Sequence, residues 1–137
     1  MNEEEFLDKA IRLLKGNETV SISIIKPDKT PYSYAMEKVS SNELMNILFI
    51  TKKNSNKVLY IKNNNRACVL CNNSEDSITM SGVIEIIEDE RIKKEILPAD
   101  YWQRISKRDS NLYCILSFNA EVADLYINNK KMSIIFK

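Results

Sequence analysis

The feature that most constrains the fold is a series of short apolar segments, rich in β-branched residues, that are separated by clusters of turn-forming residues. These segments predict β-strands at residues 19–25, 32–39, 44–51, 66–71, 77–88, 113–118, 121–127 and 132–136. Turns are expected at residues 26–31, 40–43, 72–76 and 128–129, where Pro, Asn, Asp and Ser are concentrated. Many short strands with hairpin turns and few helices predict a mainly β protein, a small antiparallel barrel of about six to eight strands with peripheral helices.

Two stretches show the three-and-four spacing of apolar residues that is typical of amphipathic helices. Residues 2–15 form the first, and Asn2 and Glu5 occupy the positions of a capping box at its start. Residues 89–97 form the second, with Asp89 as the N-cap. The buried face of this second helix is expected to carry Ile92, Ile96 and Leu97.

Glycine is rare, and both glycines occupy informative positions. Gly16 follows the first predicted helix and is its expected end. Gly82 lies in the middle of the long predicted strand 77–88, where glycine weakens a strand unless the backbone needs it. We therefore expect a β-bulge or a close approach of another backbone at Gly82.

The composition limits the classes of function. With 137 residues, 44% of them hydrophobic, a single domain over residues 1–137 is expected. Lys and Arg (20) nearly balance Asp and Glu (19), and a net charge of +1 argues against a general nucleic-acid binder. No apolar run approaches the roughly 20 residues of a membrane-spanning helix, and Glu3 to Glu5 are acidic where a signal peptide is cationic. We expect a cytoplasmic protein that binds neither nucleic acid nor membrane.

Three cysteines and the absence of histidine restrict the chemistry. Cys68 and Cys71 have the spacing of a zinc or redox pair, but they fall in a predicted buried strand, where positions three apart face opposite sides. Together with Cys114 they are expected to be reduced and mostly buried. Without histidine, a zinc site and an imidazole base are ruled out, and we predict no metal ligand and no catalytic side chain. A small domain of this kind most simply binds a cofactor that brings its own reactive atom.

An apolar strand, a polar and cationic turn and a second apolar segment follow one another over residues 48–60. The turn concentrates hydroxyl, amide and ammonium groups at Thr51, Ser55, Asn56 and Lys57. Such groups, together with oriented backbone N–H groups, hold a phosphate or another anion. A solvated surface turn has the same composition, so the pattern alone leaves both interpretations open.

Residues 55–64, which follow this turn, fit two structures. Val58, Leu59 and Ile61 favour a strand by propensity. An N-cap at Ser55 or Asn54, followed by the polar Lys57 and Lys62, favours a short helix. A helix beginning at Ser55 would direct its first N–H groups back towards the turn that contains Thr51. That geometry is the one an anion site requires.

The order of these features resembles the pyridoxamine 5'-phosphate oxidase-like proteins, the FMN-binding split barrels, and in length the chain is similar to their short members related to general stress proteins. Each matching segment is short and unspecific, but their order and spacing agree over nearly the whole chain. The segments are residues 31–36, 48–51, 55–57, 67–70, 80–87, 109–113 and 125–126. The resemblance implies an antiparallel split barrel of the FMN-binding type.

It also implies a homodimer with two FMN sites at the interface between its subunits. By position, Thr51, Ser55 and Lys57, with Asn56 between the last two, would hold the FMN phosphate. In this assignment Lys57 supplies the ammonium group, and the hydroxyl groups and the backbone supply hydrogen-bond donors.

The flavin ring would be bound by residues from both subunits. The resemblance implies that one strand segment lines the flavin, mainly through its backbone, and this segment is Tyr34-Ala35-Met36. Ile50 would lie against the ring, and Ser77 and Tyr126 of the other subunit would reach towards the isoalloxazine. Packing in the core is an equally good explanation of Tyr126.

Two departures from the family pattern affect the expected activity. Tyr34 stands where relatives commonly have an arginine on the phosphate, so the site has one fewer fixed charge unless Lys52 or Lys53 compensates. The oxidase itself carries an Arg-Leu-His-Asp-Arg run in its last strand, whereas this chain has the uncharged run Met132-Ser133-Ile134-Ile135-Phe136 there. We therefore expect that the chain is not a pyridoxamine phosphate oxidase.

Three functions fit the resemblance. The first is an FMN-dependent oxidoreductase that acts on a small-molecule substrate, in which the flavin does the chemistry. The second is a protein that binds a flavin or another phosphorylated ligand without turnover, with a role in stress. The third is a reductase that uses the deazaflavin F420, whose longer acidic tail asks for a wider basic groove than Lys52, Lys53 and Lys57 offer.

Overall fold

The computed structural model describes residues 1–104 and 109–136. It contains one antiparallel sheet of eight strands in the order β2-β1-β5-β6-β7-β4-β3, with β8 paired to β7. The strands are β1 Thr19–Ile25, β2 Pro31–Glu37, β3 Ser40–Asn42, β4 Asn46–Lys52, β5 Arg66–Asn72, β6 Ser77–Ile87, β7 Tyr113–Ile127 and β8 Lys130–Ile135. The helices are α1 Glu3–Gly16, α2 Asn56–Asn63, α3 Glu90–Ile96 and α4 Ala99–Arg104, and a 3-10 turn spans Ser110–Leu112.

The predicted fold class is confirmed. The chain is mostly β, and its antiparallel strands form a curled half-barrel with helices around it, as in a split barrel. The inner face of the sheet carries the main hydrophobic core, which α1 covers with Phe6, Ala10 and Leu14 and which α2 covers with Val58 and Ile61. None of the helices in the described part of the chain has the length and hydropathy to span a membrane.

Strand β7 organises the sheet. The residues 113–118 and 121–127, predicted as two strands, form one continuous strand, so the predicted break between them is wrong. On one edge β7 pairs first with β4 and then with β8, and on the other edge it pairs with β6 along its length. The pairing with β6 steps from Gly82 opposite Ala120 to Ser81 opposite Val122, which leaves Glu121 as an extra residue. This bulge shifts the inward-facing positions of β7 from even to odd numbers, which is why the sequence pattern seems to break there.

The bulge confirms the prediction made for Gly82. A Cβ atom at this position would lie 2.0 Å from the carbonyl oxygen of Asn119, so the backbone of β7 approaches closer than any side chain allows. The predicted hairpin turn of residues 128–129 is also present, with φ of 53° at Asn128 and 63° at Asn129. Positive φ at both residues is typical of the type I′ turn that suits the twist of paired strands.

Helix α1 begins as predicted, because the Asn2 side chain accepts a hydrogen bond from the Glu5 amide at 2.8 Å. The predicted end at Gly16 is off by one residue: Gly16 is still helical and Asn17 is the C-cap. The predicted turn at residues 40–43 is wrong in its first part, because β3 pairs there with the start of β4. Ser and Asn have low strand propensity, but pairing with an apolar neighbouring strand overrides it.

Helix α3 is present, but its predicted buried face is wrong. Leu97, at its C-cap, is buried, whereas Ile92 and Ile96 are exposed. The residue of α3 that enters the interior is Lys93, which is only 1% exposed. Its ammonium nitrogen donates to Glu90 Oε1 at 2.5 Å, to the Ser110 carbonyl at 2.8 Å and to the Tyr113 carbonyl at 2.9 Å. Three acceptors satisfy the ammonium group, so burial of this charge is tolerated.

The cysteines lie as predicted. All three are free thiols, Cys71 and Cys114 are buried, and Cys68 is half-buried on the opposite face of β5 from Cys71. Burial is the main cause that raises the pKa of both buried thiols, so neither is an activated nucleophile. Within residues 1–104 and 109–136, His, Cys, Asp and Glu form no cluster that would hold a metal ion.

Candidate functional site

The start of helix α2 settles the ambiguity of residues 55–64 in favour of a helix. Ser55 is the N-cap, and its hydroxyl oxygen accepts a hydrogen bond from the Val58 amide at 3.4 Å. The Ser55 amide in turn donates to the Lys52 carbonyl at 3.2 Å, which closes a tight turn after β4. The strand, the turn and the helix therefore follow one another as an anion site requires.

The helix is fixed in place by its apolar side chains. Val58 and Ile61 are buried in the main core, so the first turn of α2 is held against the end of the half-barrel. Within a helix the first amides have no intrahelical acceptor, and in α2 these include Asn56 and Lys57. Their N–H groups and the positive end of the helix dipole favour an anion at this end.

Lys57 brings this helix start into contact with strand β2. Its ammonium nitrogen lies 4.9 Å from the centre of the Tyr34 ring, which is the geometry of a cation–π interaction. In the part of the chain that the structure describes, Lys57 forms no ion pair with a carboxylate. Its charge is thus held at the site without being neutralised.

Tyr34 belongs to a cluster of three tyrosines. The Tyr32 ring lies 5.7 Å from the Tyr34 ring and 6.0 Å from the Tyr60 ring, and Tyr60 lies one turn after Lys57 on α2. The Tyr34 hydroxyl is buried and has no hydrogen-bond partner among the described residues. Burial, with a smaller contribution from Tyr32, raises the pKa of Tyr34 to about 12, so the phenol stays protonated at neutral pH.

The other predicted residues of this half of the site divide between the two faces of the sheet. Tyr34 and Met36 pair with the buried Ile22 and Val20 of β1 and share the inner face. Ala35, between them, is exposed on the outer face. The residues of the segment that was predicted to line a flavin therefore direct their side chains to opposite faces of the sheet, and only their backbone is common to both faces.

The two predicted site residues of β4, Ile50 and Thr51, also lie on opposite faces of the sheet. Thr51 is buried and alternates with Phe49 on the inner face, the face that also carries Tyr34. Ile50 points the other way and packs in a second, smaller core with Leu48, Leu97 and Ile115. The structure thus places Thr51 and Lys57 near the same end of the half-barrel, whereas the Ile50 side chain is directed under α3 and α4.

Ser77 and Tyr126 lie in a different part of the chain. They are direct partners in the pairing of β6 with β7, and they line a surface cavity of about 290 Å³ with Thr79, Asp124 and Lys131. Strand β6 is three places from β2 in the sheet, and Tyr126 is on the outer face whereas Tyr34 is on the inner face. One copy of the chain therefore does not bring these two residues to Lys57.

The Tyr126 side chain is not part of the core. It is exposed, and its hydroxyl lies 3.2 Å from Asn129 Oδ1 in the turn that follows. Core packing, the alternative explanation of Tyr126, is wrong. The phenol is held on the surface of the outer face by the β7–β8 turn.

Lys52 and Lys53, the candidates to replace the missing arginine, lie on the strand side of the turn. Lys53 donates its backbone amide to the Leu112 carbonyl, and its charge contributes to lowering the pKa of Glu90, although the hydrogen bond from Lys93 is the main cause. Lys52 is exposed at the end of β4. The charge of Lys53 thus already interacts with the carboxylate of Glu90 at the start of α3.

Sequence reasoning missed Tyr32 and Tyr60 as neighbours of the site. Tyr32 and Tyr34 are two residues apart, so they share one face of β2. Tyr60 follows Lys57 by three residues, so the two share one side of α2. These spacings could have indicated both tyrosines from the sequence. The sequence does not indicate that β2 and α2 are in contact. That contact joins the two tyrosine positions into one cluster.

Comparisons with known proteins agree with this architecture. The family profile described as pyridoxamine 5'-phosphate oxidase like matches residues 5–137. A search of curated proteins found no significant match. Solved structures, in contrast, match the fold over nearly the whole chain.

One is a protein related to general stress protein 26, of the pyridoxinephosphate oxidase family, from Clostridium acetobutylicum; the TM-score is 0.84 at 21% identity, over 98% of this chain and 97% of the other. General stress protein 26 from Bacillus anthracis str. Sterne has a TM-score of 0.72 at 23% identity, over 98% and 100% of the two chains. A pyridoxamine 5'-phosphate oxidase-related, FMN binding protein from Nostoc punctiforme has a TM-score of 0.67 at 14% identity, over 100% and 98%. At these identities the structures show a common fold, while the profile match shows descent: the chain belongs to the pyridoxamine 5'-phosphate oxidase-like family.

Proposed function

We propose that the chain is an FMN-binding protein whose cofactor sites are formed between two copies of the chain, and that it acts as a flavin-dependent oxidoreductase on a small molecule in the cytoplasm. The observation that carries the proposal is the unneutralised Lys57 ammonium group at the start of α2, next to the buried and unpartnered Tyr34 hydroxyl. One family relative is described as an FMN binding protein.

The donor groups of this corner fit a phosphate. Lys57 supplies a positive charge, the amides of Asn56 and Lys57 supply N–H groups, and the Ser55 hydroxyl can donate while its oxygen caps the helix. Tyr34 supplies a hydroxyl that needs a partner. These are the groups that bind the terminal phosphate of FMN, and Thr51 lines the inner face beside them.

FMN, when bound, supplies the hydride and electron transfer, and the chain supplies its position. The backbone of Tyr34-Ala35-Met36 and the end of β4 at Ile50 would border the ring. The described residues include no histidine and no activated thiol that could act as a general acid or base. The side chains of this site bind and orient. In β8, Met132 and Ile134 provide no phosphate-binding group for pyridoxamine phosphate, and the Ser133 hydroxyl already donates to Asp124 Oδ1.

A second copy is needed because Ser77 and Tyr126 lie on the outer face. Cross-strand pairing aligns mostly small side chains into two rows on that face. The rows are Ala35-Ser21-Leu70-Thr79-Asp124-Ser133 and Ser33-Ser23-Cys68-Ser81-Val122-Ile135. Leu70 is 40% exposed and Ile135 is 72% exposed on this face, and Ala35 borders it. Packing of a second copy on these rows would bury both side chains and bring Tyr126 of one copy towards the β2 edge of the other.

The direct test is the visible absorption spectrum of the purified protein after incubation with FMN and desalting. We expect a flavin spectrum that stays with the protein at about one FMN per chain, and reduction of this flavin by NADH or NADPH followed by reoxidation by an added acceptor. A protein that retains FMN but shows no turnover with any donor would be a binding protein and not an oxidoreductase. A protein that retains F420 but not FMN would contradict the choice of cofactor.

The dimer is tested by light scattering coupled to gel filtration. Ser21 is exposed on the outer face, so Ser21→Arg is tolerated by a single copy but places a charge in the proposed interface. We expect this variant to be monomeric and to lose FMN. Asn63→Arg, at the exposed end of α2, is the matched control and should leave the dimer intact. A monomeric wild-type protein that still binds FMN would refute the interface site.

A further inference from the structure

A polar patch of six side chains lies on the outer face of the sheet, where β6, β7 and β8 run side by side. Cross-strand pairing arranges these side chains in two rows, Ser77-Tyr126-Lys131 and Thr79-Asp124-Ser133. All six line one surface cavity of about 290 Å³. This volume lies near the lower end of the range for ligand sites, so the cavity suits a ligand smaller than a drug-sized molecule.

The cavity contains one carboxylate and one ammonium group that do not neutralise each other. Asp124 and Lys131 are diagonal neighbours on β7 and β8, because Asp124 pairs with Ser133 and Lys131 pairs with Tyr126. The Cβ atoms of diagonal neighbours are about 7–8 Å apart, which is within reach of a lysine side chain. Among the described residues, however, neither group forms an ion pair, and both side chains are exposed. The space between the two charges is open to a ligand.

The carboxylate of Asp124 is held in one orientation. The Ser133 hydroxyl donates to its Oδ1 atom at 2.6 Å, which leaves Oδ2 for another donor. In the other row, the Tyr126 hydroxyl lies 3.2 Å from Asn129 Oδ1, and this side chain is 36% exposed. The cavity thus combines an oriented acceptor, a flat aromatic surface and the flexible, cationic side chain of Lys131.

We propose that this cavity binds a small zwitterion, whose amine pairs with Asp124 and whose carboxylate pairs with Lys131, and that this zwitterion is the substrate of the oxidoreductase. The assignment as substrate rests on the proposed function, in which Tyr126 of one copy reaches the flavin of the other. A ligand with a single charge satisfies one of the two groups and is repelled by the other, whereas a zwitterion satisfies both. An amino acid carries its amine and its carboxylate on neighbouring carbon atoms, which suits the space between Asp124 and Lys131.

A second copy of the chain strengthens these interactions. The row Thr79-Asp124-Ser133 continues through Leu70 and Ser21, which lie in the proposed interface. A copy packed there excludes water from the cavity, and charge interactions are stronger without water than on an open surface. We therefore expect each charge of the ligand to contribute about 10-fold to its affinity, as a hydrogen bond to a charged group does.

Three small molecules with the same phenyl ring separate the two charges. At pH 7, L-phenylalanine carries an ammonium and a carboxylate group, phenethylamine carries only the ammonium group, and 3-phenylpropionate carries only the carboxylate group. The phenyl ring that they share can stack on Tyr126. Calorimetric titration of the purified protein measures the three affinities. We expect L-phenylalanine to bind about 10-fold more tightly than either of the other two probes.

Two substitutions assign the charges to residues. Asp124→Asn keeps the shape of the side chain and removes its charge, so it should weaken L-phenylalanine by about 10-fold and should not weaken 3-phenylpropionate. Lys131→Gln should weaken L-phenylalanine by the same factor and should not weaken phenethylamine. Lys130→Gln is the matched control, because Lys130 lies next to Lys131 on the opposite face of β8, and it should leave all three affinities unchanged.

Three results would overturn the inference. L-phenylalanine could bind no more tightly than the singly charged probes, or none of the three probes could bind at millimolar concentration. Equal losses for all three probes in Asp124→Asn would mean that Asp124 supports the shape of the cavity and does not bind an amine.

The same titrations, done on the protein without added flavin, separate this inference from the proposed function. If the protein retains no FMN but binds L-phenylalanine with the expected preference, the zwitterion site stands and the flavin assignment falls. If the protein retains FMN and shows no preference for L-phenylalanine, the FMN site stands and the zwitterion site falls.

Discussion

The carbonyl oxygen of Asn119 occupies the space that a side chain at Gly82 would need, 2.0 Å from where its Cβ would lie. This approach occurs where Glu121 bulges out of β7, and it lets one strand pair with β4, β6 and β8. The close approach and the bulge thus lie between the part of β7 that pairs with β4 and the part that pairs with β8.

Gly82→Ala should therefore destabilise the protein by about 1–3 kcal/mol, the usual cost of overpacking a well-packed region. Gly16→Ala is the matched control, because nothing lies within 4 Å of a Cβ there and its φ is not positive. This second variant should stabilise the protein by about 0.5–1 kcal/mol, since glycine is a poor helix former. Urea denaturation measures both, and equal effects of the two variants would contradict the role of the close approach.

Lys57→Ala should weaken FMN by about 10- to 100-fold, because it removes one charge-assisted hydrogen bond of about 1.5–3 kcal/mol. Riboflavin, which has the same ring without the phosphate, should bind equally well to both proteins. Lys62→Ala, at the other end of α2, is the control, and its ion pair with Glu88 is exposed and contributes little. A parallel loss of FMN and riboflavin affinity would place Lys57 at the ring and not at the phosphate.

Lys93→Met should destabilise the fold by about 3 kcal/mol, because it leaves the carbonyl groups of the half-buried Ser110 and Tyr113 without the lysine donor and breaks the pair with Glu90. Lys94→Met, next along the exposed side of α3, should change stability by less than about 0.5 kcal/mol. Thermal and urea denaturation measure the difference. Similar stability of the two variants would show that the methionine replaces the lysine without loss.

Stability should fall at alkaline pH partly through Tyr34. Its pKa is raised from 10.0 to about 12, so between these values the folded state keeps a proton that the unfolded state releases. By linkage, the free energy of unfolding then decreases as pH rises through this window. Tyr34→Phe should make the decrease shallower between pH 10 and 12, as measured by urea denaturation over that range. Identical slopes for the wild type and Tyr34→Phe would contradict the raised pKa.

Glu90 should make the free energy of unfolding decrease as the pH falls into the acid range. The hydrogen bond from Lys93 lowers the pKa of Glu90 below its ordinary value of 4.5, so its contribution is fully present above that value and is lost as pH falls through the lower, folded pKa. Glu90→Gln should remove this part of the acid sensitivity. The effect is small because the carboxylate is about half exposed and is screened by solvent.

The sequence by itself determined the class of fold, and it predicted the residues of one half of the candidate site. Period-two patterns and turn residues depend only on neighbours along the chain, which is why β1, β5 and β6, the Asn2 cap and the turn of residues 128–129 were predictable. The same local signals placed Thr51, Ser55 and Lys57 where a strand gives way to a helix.

Only the tertiary structure decided what depends on contacts between distant segments. The union of two predicted strands into β7, the burial of Lys93 and the contact of Lys57 with Tyr34 each need a partner far away in sequence. The structure also decided that Tyr126 and Tyr34 lie on opposite faces of the sheet, and this separation is the reason why the proposed site needs a second copy. Local propensity specifies elements, whereas the faces they present to one another are set by the packing of the whole chain.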